Sequence, residues 1–302
     1  MFTKQDGQHF TIIVAYVDDL LLTGSDLPII QLIKQALDSA FTIKDLGELT
    51  YFLGIEVSRS PAGILLNQRK YIVDMLKDTK LEFCKTTAFP FPKALKLNAH
   101  DGERLEDPEI YRRLVGKFLY LNMTRPDISY VVQQLSQFLS DPRTPHLNDA
   151  MYVIRYLKGT IDHGLLYDHN DLQLQAYSDA DWGNCPVSGR SLIGYCIFLG
   201  NSFIYWKTKK QKVASKSSAE AGYRSMSHTT SEVVWPEGPL QDLKVLVHQP
   251  ITLFCDNTSA QHIAENHVLH ERTKHIKLDV HYVRENVQSS FLKLQHVSSG
   301  LQ

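Results

Sequence analysis

The sequence predicts a mixed α/β fold in which hairpins and helices come first, an all-helical stretch follows, and a mixed β-sheet flanked by helices comes last. Three observations predict this order. Apolar runs of strand length alternate with helical periodicity in residues 11–79, the periodicity is helical throughout residues 111–159, and strand-length runs return after Asp162. Apolar residues at 43% and charged residues at 22% are ordinary for a globular protein, so disorder is not expected.

The first strand pair is predicted at residues 11–23, which read TIIVAYVDDLLLT. Two apolar runs of strand length flank Asp18 and Asp19, so we expect a β-hairpin with both aspartates at its tip. A strand-turn-strand unit holds a carboxylate in place better than a mobile loop does. Phosphoryl transfer by two divalent metals needs several carboxylates around ions about 4 Å apart, so this pair could bind metal, or it could be an ordinary Asp-Asp turn.

The next elements are predicted from turn residues and periodicity. Gly24-Ser25-Asp26 supplies a turn and an N-cap for a helix at residues 29–41. A second hairpin is predicted within residues 49–67, and a helix over residues 69–79. Residues 85–109 carry three prolines and many polar side chains, so they are predicted to be a loop or linker.

The last part of the chain changes character after the helices. Helical periodicity in residues 111–159 is broken between Pro142 and Pro145, and a domain boundary is predicted near residues 160–172. Beyond that boundary the predicted elements are strands at 172–178, 194–199 and 202–207, a helix from Ser217, a strand at 251–255, more helix, and a strand at 291–297. This β-β-β-α-β-α-β order implies one mixed sheet with helices on its faces.

Three acids in this last segment stand where elements begin or end. Asp179, with Asp181 beside it, ends a predicted strand, and Asp256 lies between a strand and a helix. Glu220 lies in the first turn of a helix, where an acid also caps the helix or favours its dipole. Taken together, these acids form the constellation that metal-dependent cleavage of an RNA strand paired to DNA would use.

Charge and cysteine content constrain partners and compartment. A formal charge of -1 gives no overall basic field, so a nucleic-acid surface would have to be local. The candidate is a lysine run that could equally be a solvated strand and loop: Lys207, Lys209, Lys210, Lys212 and Lys216. Four cysteines without C-x-x-C pairing indicate reduced thiols, and no apolar run approaches the ~20 residues that span a bilayer. We expect a soluble cytoplasmic or nuclear protein with no membrane partner, and its oligomeric state is not predicted.

Both acid sites lie within blocks that resemble the Pol polyproteins of copia-type retrotransposons. YVDD at residues 16–19, followed by LLLTGSD, resembles the catalytic hairpin of their reverse transcriptases. The resemblance continues through FTIKDLGELTYFLGIEV from Phe41, YRRLVGKFLYL from Tyr111, TRPDISYVV from Thr124 and LSQFLSDPRTPH from Leu135. The last segment resembles their ribonuclease H in four blocks: AYSDADWGNC from Ala176, SKSSAEAGYRSM from Ser215, TLFCDNTSA from Thr252 and HERTKHIKLDVHYVRE from His270.

The resemblance implies a partial reverse transcriptase palm and thumb followed by a ribonuclease H-like mixed sheet. It assigns residues 1–84 to the end of the palm and start of the thumb, 85–165 to a linker and helical thumb or connection, and 172–302 to a ribonuclease H-like domain lacking its last helix. It also implies RNA-directed DNA synthesis and RNA/DNA-hybrid cleavage by two-metal catalysis, with Mg²⁺ (or Mn²⁺) as cofactor and an RNA/DNA hybrid or primer-template as partner. The expected catalytic and metal-binding residues are Asp18, Asp19, Asp179, Glu220 and Asp256.

The sequence departs from the family pattern in three places. Truncation at both ends is expected, because one metal-binding aspartate of the family lies upstream of the Asp18 hairpin and another lies beyond Gln302. Where the family reads A-E-A-E-Y, this sequence has Gly222 in place of the second acid. The metal-ligand position is therefore either Glu220 or position 222. Residues 235–239 place two prolines and a glycine where the family has a continuous helix.

Three interpretations of function follow from these departures. The chain could be an enzymatic reverse transcriptase and ribonuclease H segment, a non-catalytic remnant that at most binds nucleic acid, or a cellular protein that reuses the module for partner binding. Metal-dependent hybrid cleavage distinguishes the first from the second. Salt-dependent hybrid binding without cleavage would indicate the second.

Overall fold

The computed structural model describes residues 1–92, 97–168, 172–186, 188–265 and 276–298. Helices and three β-sheets organise these residues, as the predicted mixed α/β fold requires. Part of the HERTKHIKLDVHYVRE block, residues 270–275, lies outside the described ranges. Within those ranges no helix is both long enough and apolar enough to cross a lipid bilayer.

The first sheet begins with a strand that the sequence analysis did not predict. Strand β1 (Phe2–Asp6) pairs antiparallel with β2 (His9–Tyr16), and Asp6 stands opposite His9. The turn between these two strands begins with Gly7 at φ 59°. Glycine at the first central position is favoured in a two-residue hairpin turn, and this signal was available in the sequence.

The predicted hairpin around the two aspartates is confirmed. Strand β2 pairs antiparallel with β3 (Asp19–Gly24), and Tyr16 stands opposite Asp19. This register leaves a two-residue turn at the tip, in which Val17 has a positive φ of 49°. Asp18 therefore lies in the turn and Asp19 is the first residue of β3, so both aspartates of the YVDD block are at the tip of the hairpin. Helix α1 (Leu27–Phe41) follows β3, and the side chain of Asp26 caps it by accepting from the Ile29 amide at 3.2 Å.

The predicted second hairpin is part of a four-stranded antiparallel sheet. Its strands are β4 (Tyr51–Phe52), β5 (Ile55–Ser60), β6 (Gly63–Asn67) and β7 (Leu165–Tyr167), in that spatial order. The β5–β6 hairpin was predicted, whereas β7, about one hundred residues further along the chain, was not. A strand of three residues is too short to show the alternation of apolar and polar residues that predicts a strand. It pairs with β6 and forms one edge of the sheet.

The predicted helical stretch forms one core. Its helices are α2 (Arg69–Asp78), α3 (Pro108–Leu121), α4 (Ser129–Ser136) and α5 (Thr144–Gly159). Helix α2 shares this core with helices that follow residue 84, where the resemblance implies a division of the chain. The fully buried side chains of this core include Ile72, Met75, Tyr111, Phe118, Leu121, Ile128, Leu135, Ile154 and Leu157.

A buried arginine ties the start of α4 to the end of α5. Arg125, only 1% exposed, precedes the 3₁₀ turn Pro126–Ile128 and donates from Nη1 to the Thr160 carbonyl at 3.0 Å. It also donates to both carboxylate oxygens of Asp127, at 2.9 and 2.7 Å, and to Thr160 Oγ1 at 2.6 Å. Tyr156 adds a hydroxyl bond to Asp127 at 2.8 Å and lies beneath the guanidinium. Every charge in this network is paired, as burial requires.

The third sheet contains the predicted strands in the predicted order. Its members are β8 (Leu174–Asp181), β9 (Leu192–Leu199), β10 (Ser202–Lys210), β11 (Ile251–Cys255) and β12 (Leu292–His296). The spatial order is β10-β9-β8-β11-β12. Strands β8, β9 and β10 pair antiparallel, whereas β8 with β11 and β11 with β12 pair parallel. The sheet is mixed, as predicted.

Helices cover this sheet. They are α6 (Ser218–Val234), α7 (Glu237–Asp242), α8 (Thr258–Glu265) and α9 (Lys277–Gln288). Helix α6 ends just before Pro236, and the chain resumes as the short α7, so the predicted helix break is present. The buried side chains between helices and sheet include Leu174, Ala176, Ile197, Tyr223, Met226, Val233, Leu253 and Val283.

We predict that Arg125→Ala destabilises the chain by about 3 kcal/mol, because it leaves the Asp127 carboxylate and the Thr160 carbonyl without their donor. Urea unfolding followed by circular dichroism measures the change. Arg155→Ala, which removes an exposed arginine of α5, is the matched control and should change stability by less than about 0.5 kcal/mol. Equal losses in the two variants would contradict the structural role of Arg125.

The same network predicts an acid dependence of stability. Burial alone would raise the pKa of Asp127, but its bonds to Arg125, the charge of Arg125 and the Tyr156 hydroxyl together lower it. A carboxyl whose pKa is lower when folded contributes stability that is full above its unfolded value, about 3.9, and is lost as the pH falls through the folded value. The unfolding free energy should therefore drop below about pH 4, and less steeply in Asp127→Asn. Identical slopes in urea titrations of the two proteins would refute this.

Candidate functional site

The parallel pairing of β8 with β11 brings two predicted acids together. Cys255, the last residue of β11, stands opposite Ser178 of β8. The following residues in the two strands are Asp256 and Asp179, so these aspartates lie side by side where the strands run in the same direction. Asp179 lies within β8, which continues to Asp181, rather than at its end as predicted.

Burial is the main reason why the pKa values of two carboxylates at this end are raised. Burial raises the pKa of Asp179, a bond from the Ala180 amide at 2.6 Å opposes the rise, and the charges of Asp256 and Asp181 add to it. Burial also raises the pKa of Asp181, and a side-chain hydrogen bond from Asn184 opposes that rise. Negative charge is therefore concentrated here, which is the electrostatic setting that a cation would relieve.

Glu220 uses both carboxylate oxygens at the start of α6. Its side chain is buried, and Oε2 accepts from the Lys216 amide at 2.9 Å. Oε1 accepts from the Arg224 guanidinium at 3.0 and 3.2 Å. The Glu220 amide donates in turn to the hydroxyl of Ser217, the N-cap residue, at 3.1 Å. The structure thus places Glu220 in a helix-capping arrangement, one of the two roles that the sequence allowed for it.

Position 222 lies against the residue that follows Asp256. A Cβ atom added to the buried Gly222 would lie 3.1 Å from Cβ and 3.2 Å from Nδ2 of Asn257, the neighbour of Asp256. Ser225, one turn later on the same face of α6, donates to the Asp179 carbonyl at 2.7 Å. Of the two positions that the sequence left open, 222 is therefore the one directed at this end of the sheet.

Asp18 and Asp19 lie on a different sheet from the other candidates. Both side chains are exposed, at the turn of the β2–β3 hairpin, and the neighbouring Tyr16 and Val17 are also exposed. This placement matches the predicted hairpin tip. It leaves their role in metal binding a prediction.

The carboxylates do not, as placed, make the metal site that the resemblance implies. Over the described part of the chain, no three His, Cys, Asp or Glu side chains are grouped so that they could hold a metal ion. In the last sheet, Asp179 and Asp256 supply two carboxylates, Glu220 is committed to the helix cap, and position 222 has no side chain. Two-metal chemistry requires more oxygen ligands than this.

A groove of about 320 Å³ adjoins Asp179 on the side of β9 and β10. Its walls include Tyr130, Asp181, Trp182 and Thr208. Trp182 is 53% exposed, and its indole donates to the Ser215 carbonyl at 2.9 Å, which fixes the ring at the rim. Sequence reasoning missed Tyr130, because this residue belongs to α4 and only tertiary packing brings it to the sheet.

The lysine run divides into bound and exposed members. Lys210 donates to Gln137 at 3.0 Å and so ties β10 to the helical core. Lys207, Lys212 and Lys216 are exposed on β10 and in the loop that leads to α6. The nucleic-acid surface predicted from the sequence is thus reduced to the exposed lysines. Of these, Lys212 and Lys216 lie in the loop that contains Ser215, whose carbonyl accepts the hydrogen bond from Trp182.

Comparison with known sequences places the chain among reverse transcriptases and transposon proteins. Residues 1–93 match the family model "Reverse transcriptase (RNA-dependent DNA polymerase)". The retrovirus-related Pol polyprotein from transposon RE2 of Arabidopsis thaliana is 43% identical over 99% of this chain, which spans only 21% of that polyprotein. A transposon Ty5-1 protein of Saccharomyces cerevisiae is 36% identical, with 77% of this chain and 80% of that protein covered.

The fold is also similar to that of a solved structure. The foamy viral protease-reverse transcriptase, solved in complex with an RNA/DNA hybrid, aligns with 95% of this chain and 36% of its own at a TM-score of 0.52. The two sequences are 12% identical, so the similarity concerns the fold alone. It confirms the fold class predicted from the sequence.

We predict that Glu220→Ala lowers the free energy of unfolding by about 2 kcal/mol, because it removes a cap and leaves the partly buried Arg224 without its partner. Thermal and urea unfolding measure the loss. Glu285→Ala, which removes an exposed glutamate of α9, is the control and should leave stability nearly unchanged. A Glu220→Ala variant as stable as the control would contradict the capping role.

Proposed function

The chain belongs to the retrovirus-related Pol polyproteins of copia-type retrotransposons, and from this we propose that it is a reverse transcriptase and ribonuclease H portion that binds RNA/DNA hybrids. The observation that carries the proposal is the exposed Trp182, whose indole is bonded to the Ser215 carbonyl, next to the exposed Lys216, at the groove that Asp179 lines. The foamy viral reverse transcriptase, which shares the fold, was solved with an RNA/DNA hybrid, and this supports the choice of ligand.

The proposed binding surface consists of Trp182, Lys212 and Lys216. Exposed lysines attract the phosphate backbone, and their binding to it releases counterions, so binding by this surface depends strongly on salt. An exposed aromatic ring can stack on a base or lie against a sugar at the edge of the duplex. Because Trp182 bonds to Ser215, the residue before Lys216, ring and cation are presented together.

The proposal assigns binding without cleavage. The carboxylates near Asp179 do not fit a two-metal site, so no hydrolytic step is assigned to them. Two carboxylates on one hairpin do not make a two-metal site by themselves, so RNA-directed DNA synthesis is not assigned to Asp18 and Asp19 alone. Both activities belong to the family by resemblance, and metal-dependent cleavage is the alternative against which the proposal is tested.

We predict that the full chain binds a fluorescent RNA/DNA hybrid and that Lys212→Gln with Lys216→Gln weakens binding. The slope of log affinity against log salt should become shallower by about 1 for each lysine–phosphate ion pair that the substitutions remove. Fluorescence anisotropy across a salt series measures both quantities. Lys277→Gln with Lys293→Gln, which removes two exposed lysines from α9 and β12, is the matched control and should leave the slope unchanged.

Two results would contradict the proposal in different ways. An affinity for the hybrid that does not change with salt concentration would contradict nucleic-acid binding by this surface. Cleavage of the hybrid in Mg²⁺ or Mn²⁺ that disappears in the Asp179→Asn, Asp256→Asn double variant would replace binding by catalysis.

A further inference from the structure

We propose that Gly222 stands where the third carboxylate of a divalent-cation site would lie, and that Glu220 is a helix cap that takes no part in metal binding. An acid placed at 222 would then complete a site for Mn²⁺ or Mg²⁺ with Asp179 and Asp256. Such hard cations prefer several carboxylate oxygens. The inference concerns the cation alone, and so it does not depend on nucleic-acid binding.

The first support is the environment of Glu220. Its oxygens are bonded to the Lys216 amide and to the Arg224 guanidinium, in a pocket that leaves the side chain 5% exposed. Turning this carboxylate toward the aspartates would break both interactions. Among the described residues, Arg224 would then keep its ion pair with Asp279, whose carboxylate lies 3.9 Å from Nη1. The bonded arrangement holds Glu220 away from a metal.

The second support is the face of α6 that meets the sheet. Residues three apart in a helix lie on one face, so 222 and 225 point the same way. Ser225 bonds to the Asp179 carbonyl and lies 2.9 Å from the Ser178 hydroxyl, which fixes this face over the end of β8. A side chain one turn earlier, at 222, therefore projects over the ends of β8 and β11.

The third support is the contact that a side chain at 222 would make. The nearest atoms to an added Cβ belong to Asn257, at 3.1 to 3.3 Å, which requires that side chain to move by a few tenths of an ångström. Asn257 caps α8 through a bond from the Ala260 amide at 2.9 Å. Glycine is also tolerated as an N-cap, so Asn257→Gly makes room at little cost to the helix.

The test is a titration of the full chain with Mn²⁺, followed by electron paramagnetic resonance, which reports the free ion. We expect Gly222→Glu to bind Mn²⁺ with a dissociation constant about tenfold lower than the unsubstituted chain, because it adds a charged oxygen ligand. Gly222→Ala, the matched control, should bind as the unsubstituted chain does. Adding Asp256→Asn to Gly222→Glu should abolish the gain.

Two further variants keep the test decisive. If circular dichroism shows that Gly222→Glu does not fold, the same titration is made on Gly222→Glu with Asn257→Gly. Glu220→Gln should leave the Mn²⁺ affinity measured for the unsubstituted chain unchanged. A fall in that affinity in Glu220→Gln, or no gain over Gly222→Ala in a folded Gly222→Glu variant, would overturn the proposal. No nucleic acid is present, so this failure is distinct from a failure of hybrid binding.

Discussion

The parallel pairing of β8 with β11 is the constraint on which the candidate site depends. The register that sets Cys255 opposite Ser178 also sets Asp256 beside Asp179, and a slip of one residue would turn one carboxylate to the other face of the sheet. Ser225 then holds α6 against the same strand end. Backbone pairing, rather than attraction between side chains, brings together two carboxylates that repel one another.

The helical core supplies one wall of the groove beside Asp179. Arg125 holds the turn before α4 to the end of α5, and α4 in turn carries Tyr130 to the groove beside Asp179. Hydrogen bonds join this core to the last sheet and its loops: Lys210 donates to Gln137, the Trp206 indole donates to the Asn122 carbonyl at 3.2 Å, and the Asn184 amide donates to the Tyr130 hydroxyl at 3.0 Å. The groove beside Asp179 therefore depends on packing far from the acids themselves.

The sequence predicted those elements whose residues carry a clear period or turn signal. The observed β11, Ile251–Cys255, has the predicted bounds, because an apolar run ends there at an aspartate. The short β7 shows no period and depends on pairing with a distant strand. The role of Glu220 could not be decided either, since a capping acid and a metal ligand both favour the first turn of a helix. The bonds of Glu220 to the Lys216 amide and to Arg224, together with the proximity of position 222 to Asn257, separate the two, and these contacts appear only in the folded chain.

The central claim is that Glu220 serves as a helix cap and that position 222, where a metal-binding carboxylate would lie, is occupied by glycine. A crystal structure of the unsubstituted chain grown with Mn²⁺ and an RNA/DNA hybrid, with anomalous scattering measured at the manganese edge, tests it most directly. The account predicts Glu220 bonded to the Lys216 amide and Arg224, with no pair of manganese peaks between Asp179 and Asp256. Two manganese ions coordinated by Glu220 and both aspartates would contradict it.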